Sequence, residues 1–379
     1  MNFDLTETQR LAVATARAVA REVVAPAARA SDRAERFPAD TIRALGEAGL
    51  LAVNVPEDLG GAGAGAVAYV LAMMEIAAAD PGVAVTMAVS NMVGEVIARY
   101  GSPEQRRRCC HRLASAEWLA GAFGLSEPGA GSDVAAMATR AERHGDRWVL
   151  NGEKQWITSG DVAGVIVAWA KTEPERGARG VTAFLVEAGT PGLHVGRHEA
   201  KMGQRASSTV TLAFDDCAVP ESAVLGGVGH GFPIAMHALD GGRCGIAAQA
   251  TGTIRAALAA SVAYARERHA FGRPIADFEA IRFMLADMGT EGEAARLLTL
   301  RAAALKDAGR PFTREASMAK LFASEAAQRA VSKAVQVHGG YGYVDAFPVE
   351  KLFRDARIQT IYEGTSEIQR LVVARDLLR

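Results

Sequence analysis

One carboxylate stands out by its position. Glu363 lies in Ile361-Tyr362-Glu363-Gly364-Thr365, a short break between helical segments. A lone Glu just before a helix N-terminus is most often electrostatic decoration. To act as a general base it would need a proton affinity matched to its task. A second group is Lys154-Gln155-Trp156-Ile157-Thr158, a strand-like run in which Trp156 and Thr158 are two residues apart. Side chains at i and i+2 share a face of a strand, so this face could stack a planar ring and hydrogen-bond its edge. A core Trp is the competing reading. A third is the stretch from Phe123 to Asp133, where Gly129 and Gly131 allow close backbone approach and Ser126 and Ser132 add hydroxyls. Free N–H groups in such a loop can form an anion-binding nest, or the loop can be an ordinary one. Gly61-Ala62-Gly63-Ala64-Gly65-Ala66 partly satisfies the dinucleotide pattern G-x-G-x-x-A, but the surrounding text is helical where repeated β-α units would be required. Cys109, Cys110, Cys217 and Cys244 form no C-x-x-C, and no His pair has zinc spacing. They read as buried thiols, with no metal site.

The elements that must position these residues fall into three blocks, expected at 1–117, 118–230 and 231–379. The first is Ala-rich with helical spacing. Thr6-x-x-Gln9 reads as a capping box opening a helix that runs toward Ala30. Asp40 reads as the cap of a short helix, Asp80-Pro81-Gly82 as a break between two long ones, and Ser102-Pro103-Glu104 as a further start. After Trp118 short β-rich runs alternate with turn signals, at 122–126, 139–143, 147–150, 154–158, 165–170, 181–187, 193–196 and 209–214. His144-Gly145-Asp146 and Asn151-Gly152 read as hairpin turns. No helix-length pattern separates the runs, which predicts antiparallel β. Helix returns after Gly231, with segments at 243–268, 278–305, 313–337 and 366–378, as a bundle requires. Ser366-x-x-Gln369 reads as the capping box of the last. The fold class is multi-domain α+β: a helical N-terminal domain, a middle antiparallel β-domain and a C-terminal four-helix bundle.

Composition agrees. The chain has 379 residues, 49% hydrophobic and 22% charged, which excludes a disordered or fibrous chain. With 42 Lys+Arg against 43 Asp+Glu, the net charge of −1 removes the usual driving force for nonspecific nucleic-acid binding. No uninterrupted apolar run approaches the roughly 20 residues of a membrane span. The first residues are acidic, without a basic or apolar leader pattern, so a cytoplasmic location is expected.

The motifs together resemble the acyl-CoA dehydrogenase family over essentially the whole chain. They are Leu125-Ser126-Glu127-Pro128 through Asp133, Gln155-Trp156-Ile157-Thr158, Met202-Gly203-Gln204-Arg205, Arg268-His269-Ala270-Phe271-Gly272, Gln336-Val337-His338-Gly339-Gly340-Tyr341-Gly342 and 361–370. Leu239-Asp240-Gly241-Gly242-Arg243 and the C-terminal block look most like short-chain, butyryl-CoA-type members. The resemblance implies the same three-domain fold, FAD as cofactor, an acyl-CoA substrate, electron transfer flavoprotein as electron acceptor, a homotetramer and a place in fatty acid β-oxidation.

By motif, Leu125, Ser126 and Thr158 would hold the flavin edge, and Trp156 would flank the isoalloxazine. Arg268, Phe271, Gln336 and Gly340 would reach a neighbouring subunit's cofactor on its adenine side. Thr365 and Glu367 would contact the cofactor after the base. Ser132, Asp240 and Arg243 match positions that receive the CoA arm, and Tyr362 and Gly364 flank the substrate. Glu363 matches the catalytic base, which takes the α-proton of the thioester while a hydride leaves the β-carbon for the flavin. The Glu363 backbone N–H and a flavin ribityl hydroxyl would polarise the carbonyl. Some relatives carry the base directly before the residue matching Arg243; here that position is Gly242, which has no carboxyl. Glu279 stands where many members of the family have Gln near the adenine side, and Ala270 stands where some have Thr.

Other reactions on this scaffold compete: desaturation of an acyl group on a carrier protein, or a flavoprotein oxidase or monooxygenase. A nicotinamide enzyme using the Gly61 loop is a further class. For acyl length, Tyr362 could restrict the pocket floor, whereas Gly242 and Gly245 could open a side wall. These effects oppose each other. Family likeness favours short straight or 2-methyl-branched chains of roughly four to six carbons.

Overall fold

A computed structural model describes residues 4–379. The capping box at Thr6 opens α1 (Glu7–Val19), with Gln9 returning the hydrogen bond. One π-helical turn leads on into α2 (Ala25–Ala34). Asp40 is not the cap of α3 (Ala39–Glu47): Pro38 holds that place, and Asp40 sits in the first turn, 2.8 Å from Arg43. Two apolar helices follow, α4 (Gly65–Ala79) and α5 (Pro81–Tyr100). They are divided by Asp80, whose carboxylate accepts from the Gly82 N–H at 2.7 Å. By length and composition α5 could cross a membrane, but 89% of its apolar window is buried inside the fold, as a core helix requires. Ser102 and Gln105 form the expected capping box of α6 (Pro103–Ala114). The Gly61 loop joins α4 to short 3-10 turns on its N-terminal side, so no β-α unit surrounds it.

The middle block is an eight-stranded sheet: β1 (Ala120–Gly124), β2 (Arg140–His144), β3 (Arg147–Thr158), β4 (Ala163–Lys171), β5 (Val181–Glu187), β6 (Leu193–His198), β7 (Thr209–Pro220) and β8 (Val224–Leu225). The order is β6-β7-β3-β2-β4-β5-β8, with β1 beside β4. Most pairs are antiparallel, but β1 runs parallel to β4, and β2 touches β4 in parallel at Arg140 and Lys171. The sheet is therefore mixed; the long connection from β1 to β4 removes the hairpin constraint that imposes antiparallel pairing. His144-Gly145-Asp146 makes the expected hairpin. Asn151-Gly152 does not turn the chain. It lies inside β3 as a register shift against β7, where a Cβ on Gly152 would meet Thr139 atoms at 2.6–2.8 Å. The glycine is there for close packing.

The C-terminal block contains α7 (Gly231–Glu267), α8 (Glu279–Asp307), α9 (Thr313–His338), α10 (Pro348–Ala356) and α11 (Ser366–Leu377). The cap of α11 is Thr365, whose hydroxyl accepts from Ile368 N–H at 3.3 Å, and Ser366 is the first helical residue. One core joins α1 and α4 to α7, α8 and α9. A second joins α5 and α6 to β1, β4, β5 and the start of α7, and a third lies within the sheet.

A buried polar network closes the seam between the three blocks. Lys351 on α10 pairs with Asp355 at 2.6 Å and with Asp80 at 3.0 Å. Asp355 also accepts from the Gln204 N–H of the loop after β6, and the Gln204 amide donates to the Asp355 carbonyl at 3.1 Å. Gln249 on α7 donates to Pro81 O at 2.7 Å and accepts from the Tyr362 hydroxyl. Burial alone would lower the Lys351 pKa, but the two carboxylates push it up instead. Lys351→Met leaves two buried carboxylates without their cation, and a loss of about 3–5 kcal/mol in unfolding free energy is expected by urea denaturation.

Candidate active site

Glu363 has a left-handed backbone, φ +54, and Gly364 follows at φ +84. A non-glycine residue there carries a strain of about 1–3 kcal/mol, which the surrounding contacts must hold. Gln369 Nε2 donates to the Glu363 carbonyl at 3.1 Å and to the Gly364 carbonyl at 2.9 Å. Lys320 Nζ donates to the Gly364 carbonyl at 2.7 Å. On the other side, Tyr362 is held by Gln249 and by Gln204 at 3.3 Å. The turn aims the carboxyl inward. Glu363 Oε2 is enclosed and has no hydrogen-bond partner among the described residues. Burial raises its pKa from 4.5 to about 7, against the opposing pull of Arg243 and Lys320. A carboxyl with one oxygen enclosed and unpartnered and a pKa near neutrality has the properties of a general base.

Gly242 makes room for this carboxyl. A Cβ at that position would lie 2.5 Å from Glu363 Oε2 and 3.1 Å from Met92 Sδ. A Cβ on Gly245 would lie 2.5 Å from the Tyr69 hydroxyl. Neither glycine opens a side wall: the space each leaves is filled by protein. Tyr362 is fixed at its hydroxyl.

The 125–127 loop and β3 are stitched into one platform. Lys154, fully buried, pairs with Glu127 at 2.7 Å and donates to Leu125 O at 3.4 Å. Burial lowers the Lys154 pKa to about 8, with Glu127 opposing. Glu127 also accepts from the N–H of Ala138 at 2.5 Å and of Thr139 at 3.1 Å, while Gln155 N–H donates to Ser126 O at 2.9 Å. Trp156 sits where β3 shifts register against β7, at φ +63, with 61% of its surface exposed. It is not a core Trp. Leu125, Ser126, Trp156 and Thr158 are thus brought to one region, and the bare indole suits a planar ring.

A second region lies at the end of the bundle. Arg268, Gln336 and Gly340 line a cavity of about 500 Å³ together with Tyr264, Tyr341 and Val344. Gly339 and Gly340 have no atom within 4 Å of the place a Cβ would take, so the cradle is open. The Arg268 guanidinium lies 5.7 Å over the Tyr341 ring. Phe271 is 94% exposed at φ +51. Glu279 is exposed at the first residue of α8, and Ala270 is half-buried. An open glycine cradle, a cation and a bare indole fit the two ends of an FAD.

Ser132 is exposed in its loop, and Gly131 beside it has open space. Asp240 has both oxygens engaged, by Arg243 at 2.7 Å and by the Thr313 hydroxyl at 2.5 Å. Arg243 is buried, paired with Asp240 and 3.4 Å from Ser317 Oγ, and its charge acts on Glu363. Glu367 is exposed, and the Thr365 hydroxyl holds its carboxyl below the usual range. The sequence reading missed Lys320, Gln369, Met92 and Tyr69. For Lys320 a signal existed: it stands within the alanine face Ala316, Ala319, Ala323 and Ala327 of α9, where a solvated lysine has no place.

Comparison with known proteins gives three family models in chain order. The acyl-CoA dehydrogenase N-terminal domain matches residues 6–117, the middle domain 122–217 and the C-terminal domain 229–378. The short-chain specific acyl-CoA dehydrogenase of mitochondria from Bos taurus is 48% identical over 380 residues, covering 100% of this chain and 92% of that protein. The structure of butyryl-CoA dehydrogenase from Megasphaera elsdenii superposes with a TM-score of 0.98 at 40% identity, covering 100% of both chains. A chain from a structure concerned with the electron transferring flavoprotein of Acidaminococcus fermentans gives a TM-score of 0.98 at 43% identity, again over 100% of both chains.

The raised proton affinity of Glu363 has a consequence for stability. Between 4.5 and about 7 the folded protein keeps a proton that the unfolded chain has released. Stability is unaffected below that window and is lost as pH rises through it. Glu363→Gln removes the titration. The variant is expected to match the parent near about pH 4 and to exceed it by about 3 kcal/mol above about pH 8, in urea denaturation across the range.

Proposed function

The chain belongs to the acyl-CoA dehydrogenase family, and on that premise we propose that it desaturates short acyl-CoA thioesters between the α and β carbons, with Glu363 as the base. Its cofactor is FAD, as in the family, and it is an oxidoreductase. The observation that carries the proposal is the enclosed Glu363 Oε2, with a raised pKa and no hydrogen-bond partner.

Glu363 Oε2 takes the α-proton. With a pKa near 7 the carboxylate is both populated at neutral pH and basic enough to accept it. The Glu363 backbone N–H is positioned by its left-handed turn to donate to the thioester carbonyl, which acidifies that proton. Bound FAD supplies the acceptor for the hydride that leaves the β-carbon. Trp156 and the 125–127 loop hold the flavin end, with Ser126 and Thr158 at its edge and Thr365 and Glu367 beyond the base. Ser132 meets the CoA arm at the surface. Asp240 and Arg243, engaged with each other, form the wall behind the base, and Tyr362 and Gly364 fix the base between them.

A short acyl group is supported by the filled glycine face. Glu363 and Met92 occupy the space at Gly242, and Tyr69 occupies that at Gly245, so straight or 2-methyl-branched chains of about four to six carbons fit best. The relatives above carry short-chain and butyryl-CoA names. The structural likeness to a chain from work on an electron transferring flavoprotein supports that class of protein as the electron acceptor, and the short-chain acyl-CoA dehydrogenase relatives support fatty acid β-oxidation as the setting. Arg268, Phe271, Gln336 and Gly340 reach a neighbour's FAD in a homotetramer, which explains the nearly bare Phe271.

Anaerobic mixing with butyryl-, 2-methylbutyryl-, octanoyl- and palmitoyl-CoA tests the reading. The flavin is expected to bleach fastest with the four- and five-carbon acyl groups. Glu363→Gln is expected to keep its FAD and lose about 10²–10⁴-fold in bleaching rate; normal bleaching in this variant would overturn the assignment. Light scattering is expected to show no flavin-loaded monomer, since half of each cofactor site comes from the partner.

A further inference from the structure

We propose that Lys320 is a positioning residue for the base: its ammonium holds the Gly364 carbonyl, fixing the turn that aims Glu363, and supplies the buried positive charge against which that carboxyl ionises. This rests on the reading of Glu363 as the base.

Lys320 is fully buried on α9, flanked by the fully buried Ala316, Ala319 and Ala323. Alanine leaves room for the long side chain to run beneath the turn. Among the described residues it makes no ion pair and one hydrogen bond, the 2.7 Å contact from Nζ to the Gly364 carbonyl. Burying an ammonium this way is unfavourable, and an apolar residue of similar length would pack at lower cost. The arrangement makes sense only if the charge acts on something nearby. That group is Glu363, one residue before the carbonyl that Lys320 holds, and each favours the charged form of the other.

The remaining groups around the pair come from each neighbouring element. Arg243 of α7 faces both. Glu325 of α9 and Glu367 at the start of α11 act on Lys320. The buried hydroxyls of Tyr69 on α4 and Tyr362 feel Glu363. Burial lowers Lys320 to about 8 and raises Glu363 to about 7, so the two titrate as a coupled pair. Gln369 holds the same turn without a charge, through the Glu363 and Gly364 carbonyls. It therefore serves as a control that separates position from charge.

The test follows the Glu363 carboxyl stretch by infrared difference spectroscopy in the FAD-loaded protein, with Glu363→Gln as the reference. The pH profile of flavin bleaching by butyryl-CoA is measured beside it. Lys320→Met is expected to move the Glu363 midpoint up by about one pH unit. Bleaching well below the midpoint is then expected to fall about tenfold. Lys320→Gln, which keeps a donor but no charge, is expected to give the same shift and covers the case in which the methionine variant does not fold. Gln369→Met is expected to slow bleaching at every pH and leave the midpoint in place. An unmoved midpoint in folded Lys320→Met or Lys320→Gln would overturn the proposal. So would an equal shift in Gln369→Met. If the unaltered protein is not bleached by any acyl-CoA, the assignment of function fails, while the infrared titration still decides whether Lys320 sets the ionisation of Glu363.

Discussion

A single buried ammonium, that of Lys351, lies between Asp80 and Asp355, and the meeting of the three domains depends on it. Each carboxylate has a second duty. Asp80 caps α5, and Asp355 receives the Gln204 N–H from the middle domain. The cation therefore fixes the start of the most buried helix of the N-terminal domain against α10 and the loop after β6 at once. Packing in this seam leaves no slack: a Cβ on Gly203 would lie 2.3 Å from the Arg354 carbonyl. A charge cluster so enclosed tolerates little displacement, because moving any one partner exposes another to an environment without water.

Glu363, the proposed base, inherits this rigidity. Gln204 and Gln249, both tied into the seam, hold the Tyr362 hydroxyl, and Tyr362 immediately precedes Glu363. On the far side Lys320 and Gln369 hold the carbonyls of the turn. Glu363 is thus suspended between two anchored neighbours, and its own carboxyl is left without a hydrogen bond. An anchored backbone with an unengaged reactive atom is the combination that proton abstraction requires, since reorganisation is minimised while the acceptor stays free.

Much of this was legible in the sequence where the determinants are local. The capping boxes at Thr6 and Ser102 and the hairpin at His144-Gly145-Asp146 depend on residues three or fewer apart, and all three form. Asn151-Gly152 reads as a turn by the same logic, but Thr139, just before β2, requires the glycine, and contacts beyond the local sequence leave no local mark. Ser366 and Thr365 are chemically alike, so the cap position was offset by one residue. At the site, Glu363 is marked by its place in a break between helical segments, and the joint motif pattern gives that position its role. Gly245 carries no local sign of the hydroxyl that fills the space beside it, because that hydroxyl belongs to Tyr69, on a helix far away in the chain.

The electrostatics around Glu363 accord with its proposed role as base: two cations stand near a carboxyl whose burial already raises its pKa. Burial alone would favour a neutral acid that holds its proton and cannot abstract another. Full neutralisation by a direct ion pair would give a carboxylate too weak to take a proton from carbon. Arg243 and Lys320 avoid both limits. Arg243 spends its guanidinium on Asp240 and Ser317, and Lys320 spends its ammonium on a carbonyl, so each acts on Glu363 through space without capping its oxygen. The opposing effects leave the carboxyl near 7. Gly242 completes the arrangement, since any side chain there would push the carboxyl out of the position where this balance holds.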